Sequence, residues 1–265
     1  MATYLDRILA AHREAAAADR RAPAAIRAAA DAAVAAGPAR GFRAALAADH
    51  AAGHLAVISE IKRRSPSKGP LAPDLDPAAV ARAYAEGGAA ALSVLTDEEF
   101  FGGSAADLGA ARAACAVPVL RKDFTVVEAD VLDARAMGAD AVLLIVAALD
   151  DAELADLHAT AVEVGLDVLV EVHDEAEIER GLAAGADLIG VNQRDLVTFA
   201  VDTARAVRVA PEMPDGVVRV AESGVGGPDD ARRLAEAGYH AVLVGESLVT
   251  HGDRSAGVAA LRAAR

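Results

Sequence analysis

Glu60 and Lys62 stand two residues apart where the apolar run HLAVISEI (54–61) gives way to KRRSPSKG. On a strand, that spacing puts a carboxylate and an ammonium on one face. Burying such a pair costs several kcal/mol per ion before any is recovered, so the arrangement points to work rather than packing. Four other apolar runs end in the same way, with Lys122 in VPVLRK (117–122), Glu171 in VGLDVLVEV (164–172), Asn192 in AGADLIGVN (184–192) and Glu222 in GVVRVAE (216–222). A desolvated carboxylate holds a proton more tightly, and a lysine beside another cation releases one more readily. Carboxylates and lysines brought to one place therefore suit general acid–base catalysis. Lysine usage supports this choice of residues. Of 26 basic residues only three, Lys62, Lys68 and Lys122, are lysine and the other 23 are arginine. A chain that uses Arg for surface charge has placed these three where a compact, tunable ammonium is wanted.

The elements that must position these groups recur along the chain. EGGAAALSVLT (86–96), MGADAVLLIV (137–146), VGLDVLVEV, AGADLIGVN and AGYHAVLVGE (237–246) each leave an Ala-rich amphipathic stretch, pass a glycine suited to a helix C′ position and enter an apolar run. With HLAVISEI, VPVLRK and GVVRVAE they make eight candidate strands, apolar throughout as parallel strands covered by helices are. Asp76 before Pro77 predicts an N-cap followed by proline at N1, while Thr125 with Glu128 and Asp174 with Glu177 fit capping-box spacing. The expected fold is a closed (β/α)8 TIM barrel. An open doubly wound sheet competes, but no G-x-G-x-x-G follows any of the runs. One barrel domain over 1–265 is expected, with residues 1–48 as an N-terminal helical extension whose helical part, 4–35, breaks near Pro23.

In such a barrel the chemistry sits where strands end. Glycines 224, 226, 227 and 245 lie just past the last two runs. Loops in that position often hold phosphate on backbone N–H groups, so a phosphorylated small molecule is the expected ligand.

Composition removes other classes. A net charge of −14 and a pI near 4.9 argue against nucleic acid, which would need a basic face. No apolar run approaches the roughly 18 residues of a membrane span, and the charged N-terminus lacks the pattern of a secretory signal. A cytoplasmic protein is expected. Its single cysteine, Cys115, has no disulfide partner, and no His/Cys cluster has zinc spacing, so no metal is expected.

Taken together in this order, SEIKRRSPSKG, FFGGS, RKDF, GADAVLLIVAAL, LVEVH, GVNQRDL, AESGV and LVGESLV resemble the indole-3-glycerol phosphate synthase family from about residue 4 to about residue 250. That resemblance implies a barrel enzyme of tryptophan biosynthesis that needs neither metal nor organic cofactor. The reaction it implies turns 1-(2-carboxyphenylamino)-1-deoxyribulose 5-phosphate into indole-3-glycerol phosphate, carbon dioxide and water. It implies Lys122 as general acid for ring closure, Glu171 as general base in dehydration, Lys62 near the substrate carboxylate and Glu60 as the group that orients and balances the lysines. Asn192 and Glu222 are implied to hold hydroxyls, Ser65 to position substrate, and Arg194 to support the network. Phe101, Phe124 and Leu143 are implied to wall the aryl ring, and Ser223, Gly224, Gly245 and Glu246 to hold the phosphate through backbone groups. Because a carboxylate repels phosphate, the Glu246 side chain is expected to turn away from it. A monomer is expected, with weak association to other enzymes of the pathway left open. Two competing readings are a phosphosugar isomerase of the same pathway and a non-catalytic phosphosugar binder. The first does not carry EIKRRSPSKG with RKDF, and the second has no need of tuned acids and bases.

Overall fold

The computed structural model describes residues 3–195 and 197–265. Eight parallel strands close a barrel: β1 (Ala56–Ile61), β2 (Ala91–Leu95), β3 (Val119–Lys122), β4 (Ala141–Ile145), β5 (Asp167–Val172), β6 (Leu188–Asn192), β7 (Val218–Glu222) and β8 (Ala241–Val244). Each strand pairs with its sequence neighbour, and β8 returns to β1 through Ala56 opposite Ala241. All eight lie within the runs read from the sequence. The recurrent glycines do what the phrase requires: Gly88, Gly138, Gly165, Gly185 and Gly238 all have φ between 77° and 98°. That left-handed conformation ends the helix and turns the chain into the next strand.

Strand parity divides the apolar residues into two populations. Outward side chains such as Val57, Val94, Val142 and Val170 are buried under the helical ring, whereas Ile58, Leu120, Leu169 and Val220 fill the barrel interior. The next inward positions on the same four odd-numbered strands are Glu60, Lys122, Glu171 and Glu222. The alternate-strand layering of these barrels thus replaces one apolar layer by a charged one at the C-terminal mouth.

The N-terminal segment forms three helices, α1 (Tyr4–Ala18), α2 (Pro23–Ala36) and α3 (Phe42–Ala51). The break near Pro23 is as expected, with Pro23 at the first helical position of α2. α3 lies beyond the stretch read as helix, and its Phe42 and Leu46 are fully buried against Ala56, Ala91, Ala141 and Ala241. These alanines start their strands, so α3 plugs the bottom of the barrel while α1 lies at the mouth.

The remaining helices used below are α4 (Pro77–Glu86), α5 (Ala105–Ala114), α6 (Glu128–Ala136), α7 (Asp151–Glu163) and α8 (Glu175–Ala183). Asp76 caps α4 through the N–H groups of Ala78 and Ala79, as its place before Pro77 suggests. The Thr125–Glu128 reading is corrected: α6 starts at Glu128, and its entry is tied by Asp130 Oδ2, which accepts from the N–H groups of Val126 at 2.9 Å and Val127 at 3.1 Å. Asp174 does cap α8, but Glu177 turns to His173 rather than completing a box. Among the described residues, no helix is long and apolar enough to cross a membrane.

Candidate active site

The charged layer forms the floor of a cavity of about 650 Å³ at the C-terminal mouth. Every residue to which the family resemblance gives a role lines it, and of the loop glycines, Gly224, Gly226 and Gly245 do while Gly227 does not. Lys122 is central: its Nζ donates to Glu171 Oε2 and to Glu222 Oε2, each at 2.8 Å. Burial disfavours the ammonium, but Glu171, Glu222 and Glu60 outweigh that and push the lysine pKa up, so Lys122 is held protonated. Lys62 Nζ donates to Glu60 Oε1 across the strand face the two residues share.

The two carboxylates on Lys122 are not equivalent. Glu171 Oε1 accepts from Asn192 Nδ2 at 3.0 Å and has His173 Nε2 at 3.9 Å. Burial alone would raise Glu171, yet Lys122, His173 and Asn192 hold it at about 2. Glu222 Oε1 is buried and has no hydrogen-bond partner among the described residues. Burial, with the charge of Glu171 added, pushes Glu222 up to about 7 against the pull of Lys122. One ammonium shared by two carboxylates fully compensates only one of them. The site thus rests with Glu171 ionised and Glu222 poised to gain or lose a proton near neutrality.

Room for this cluster comes from two glycines. A Cβ on Gly190 of β6 would collide with Glu222 Oε1 and lie 3.2 Å from Leu169 Cδ1. A Cβ on Gly245 would strike Glu60 Oε1 and lie 3.0 Å from Lys62 Nζ. Gly190→Ala should therefore push Glu222 off Lys122, costing about 2–4 kcal/mol of stability and roughly a hundredfold or more in kcat. Urea unfolding and turnover measured on the same sample would check both, and unchanged turnover would show that Glu222 tolerates displacement.

At the rim, Ser223 adopts φ 66° and Gly224 φ 73°. Two successive left-handed residues turn their backbone N–H groups together, a shape suited to an anion. The loop is braced from behind by Gln193, whose Nε2 donates to Ser223 O at 2.7 Å. Glu246 turns its carboxylate to Lys68, 3.5 Å away and largely exposed. Arg194 shapes the loop after β6, donating from its backbone N–H to Asn192 Oδ1 and from Nη1 to Phe199 O, each at 3.0 Å. Phe124 stacks obliquely on Phe101 at 6.3 Å, with Leu143 inside the barrel below them. Ser65 sits on a short antiparallel ribbon, 64–65 with 69–70, that overhangs the mouth. Of the four basic residues in 62–68, Lys62 and Lys68 line the cavity and the two arginines do not. Arg63 pairs with Asp107 at 2.8 Å, and Arg64 Nη2 donates to the carbonyls of Glu98 and Glu99.

A floor of lysines and carboxylates beneath an anion-shaped rim limits the families that fit. The family model described as indole-3-glycerol phosphate synthase matches residues 5–261. The chain belongs to that family. Relatives include the indole-3-glycerol phosphate synthase of Nocardioides, 60% identical over 197 residues that make up 74% of this chain and 76% of that one. Indole-3-glycerol phosphate synthase 2 of Streptomyces coelicolor is 57% identical over 83% of this chain and 84% of its own. Among solved structures, a 3-hexulose-6-phosphate synthase superposes with a TM-score of 0.63 at 18% identity, covering 79% of this chain and 99% of its own. That likeness speaks for the barrel alone. As an indole-3-glycerol phosphate synthase, the protein closes, decarboxylates and dehydrates 1-(2-carboxyphenylamino)-1-deoxyribulose 5-phosphate in tryptophan biosynthesis.

Several functional neighbours escape a strand-end reading. Ser93 faces inward on β2, its Oγ 3.5 Å from Glu60 Oε2, and period-two parity within ALSVL could have found it. Gly190 is likewise an inward position. His12, Asp97 and Asp123 come together only in three dimensions, and no sequence spacing signals them.

Proposed function

We propose that Lys122 is the general acid and Glu171 the general base of the synthase reaction. The observation that carries this reading is the pair of 2.8 Å hydrogen bonds joining Lys122 to Glu171 and Glu222 on the cavity floor. When the aryl carbon attacks the ribulose carbonyl, negative charge grows on the carbonyl oxygen. An alkoxide is a far stronger base than an amine, so a lysine held protonated by its surroundings still delivers its proton downhill. Loss of the carboxyl group then restores the aromatic ring. Dehydration needs one group to take a proton and another to protonate the departing hydroxyl, and ionised Glu171, oriented by Asn192, suits the first task.

Lys62, balanced by Glu60, meets the substrate carboxylate, while Asn192 and Glu222 hold hydroxyls. Ser65 and Arg194 position the substrate, and Phe101, Phe124 and Leu143 wall its aryl ring. The phosphate lies on N–H groups of Ser223, Gly224, Gly245 and Glu246, the last through its backbone only. The partner is this phosphorylated small molecule, acted on by a cytoplasmic monomer.

The test is to mix purified protein with the carboxyphenylamino-deoxyribulose phosphate in the presence of a chelator and follow indole absorbance. Saturable formation of indole-3-glycerol phosphate is expected. Binding of the substrate without product would overturn the assignment of acid and base.

A further inference from the structure

The helix α1 crosses the mouth and places Tyr4, Leu5 and Ile8 in the cavity wall. Arg13 ties it from outside to Glu153 of α7 at 2.8 Å, and two residues hold it against the loops of the mouth. At its start, the Tyr4 ring meets Phe100 edge-on at 5.9 Å and Phe199 at 5.2 Å, bridging the loops after β2 and β6. Two turns later His12 Nε2 lies 2.9 Å from Asp97 Oδ2 and 3.8 Å from Asp123 Oδ1.

Those two aspartates organise the loops that carry the aryl wall. Asp97 Oδ1 accepts the N–H groups of Phe100 at 2.6 Å and Phe101 at 3.0 Å. Asp123 follows Lys122 directly, accepts the N–H of Phe124 at 2.9 Å and is held by Arg121 Nη2 at 2.9 Å and by Thr96 Oγ1. The His12 ring also lies against the Phe124 ring at 5.4 Å. A single imidazole therefore touches the helix, the loop of Phe101 and the loop of Phe124. With both aspartates already engaged by backbone and side-chain donors, the cluster works as a clasp and offers a metal ion few free lone pairs.

We propose that His12 is a positioning residue that clasps α1 onto the loops after β2 and β3, and so fixes the wall against which the substrate's aryl ring lies. The proposal rests on reading the cavity as the synthase site. His12 does not touch the reacting atoms; it acts through Phe101 and Phe124.

The charges around His12 give the clasp a pH dependence. Asp97 and Asp123 face it from the two loops, Asp130 from α6 adds to their field, and Arg121 is spent on Asp123. Burial disfavours the imidazolium, but the three aspartates outweigh it and raise the His12 pKa above its usual 6.5. A raised cation contributes stability that is complete below the unfolded value and lost as pH rises through the folded one. The clasp is therefore tightest while His12 carries its proton and weakens as pH rises through the raised His12 value.

The test compares wild type with His12→Gln and His12→Lys, two substitutions that favour helix. KM and kcat are measured at about pH 6.5 and pH 9, together with amide-exchange protection factors for residues 4–18. At the lower pH, His12→Gln should raise KM about five- to tenfold with kcat within about threefold, the mark of lost ground-state positioning. It should also lower protection of α1. Wild type should approach the Gln variant at high pH, whereas His12→Lys should keep a wild-type KM at both pH values because its charge does not titrate there. A Gln variant with unchanged KM, a rise in KM without loss of α1 protection, or a Lys variant that behaves like Gln would each overturn the proposal. Protection of α1 needs no turnover, so a wild type that fails to make product while its α1 still loosens at high pH would sink the proposed acid and base roles and leave the clasp standing.

Discussion

Lys122→Ala is expected to lower kcat by at least about a thousandfold while substrate affinity stays within about tenfold. The asymmetry follows from where the ammonium sits. It lies on the floor between Glu171 and Glu222 and is 14% exposed, so it contributes little to holding the phosphate or the aryl ring at the rim. Its proton matters when charge builds on the former carbonyl oxygen, and an interaction made mainly in the transition state appears in kcat. Removing the lysine leaves two carboxylates facing each other without their shared cation. One then takes a proton, which limits the structural damage and keeps the variant folded. Lys122→Arg should not rescue, because guanidinium is a much weaker acid and its planar fork does not fit between two carboxylates spaced for an ammonium. Single-turnover kinetics with calorimetric binding of the same substrate would separate the two quantities. Retention of about a tenth of the wild-type rate would remove Lys122 from the acid role.

Why Lys122 could be found in the sequence, and His12 could not, is a matter of how locally each is specified. The position of Lys122 follows from a short apolar run and period-two parity, both contained in VPVLRK. The same holds for Glu60, Glu171 and Glu222, and the barrel was legible because each C′ glycine and its following run form one local phrase. His12 depends on Asp97, 85 residues away, and on Asp123, farther still. Those contacts exist only because closure of the barrel brings the loops after β2 and β3 beneath α1. α3 escaped for a related reason: FRAALAADHA has ordinary helical composition, and its burial comes from the alanines that begin four strands, not from a local pattern. The cap of α6 shows a further limit. Thr125 and Asp130 are both able to tie a helix entry, and tertiary placement of the RKDF loop selects Asp130.

Glu171→Gln should lower kcat by about 10²–10⁴-fold, the usual worth of a general acid–base group, and should also change how stability depends on pH. Gln fills the same space, but with its single oxygen kept as the acceptor for Asn192 Nδ2 it turns an N–H donor toward Lys122 where a charged acceptor had been. Glu222 then becomes the principal counterion of Lys122. In the wild type, burial and the neighbouring charge of Glu171 push Glu222 from its usual 4.5 up to about 7. A carboxyl raised in the folded state contributes stability that is complete below its unfolded value and lost as pH climbs through its folded one. Wild-type stability should therefore fall between about pH 5 and pH 7.5 from this group. Glu171 has the opposite sign: held at about 2, it stabilises above its usual 4.5 and that contribution disappears only in strong acid. In the Gln variant the acid-side loss disappears with Glu171, and the neutral-range fall flattens because Glu222 drops toward the ordinary carboxylate range. Urea unfolding from about pH 2 to pH 8 reads both changes. A variant whose stability still falls through neutrality as steeply as the wild type would place the titrating proton elsewhere than Glu222. It would also remove the asymmetry on which Glu171, rather than Glu222, is assigned the base.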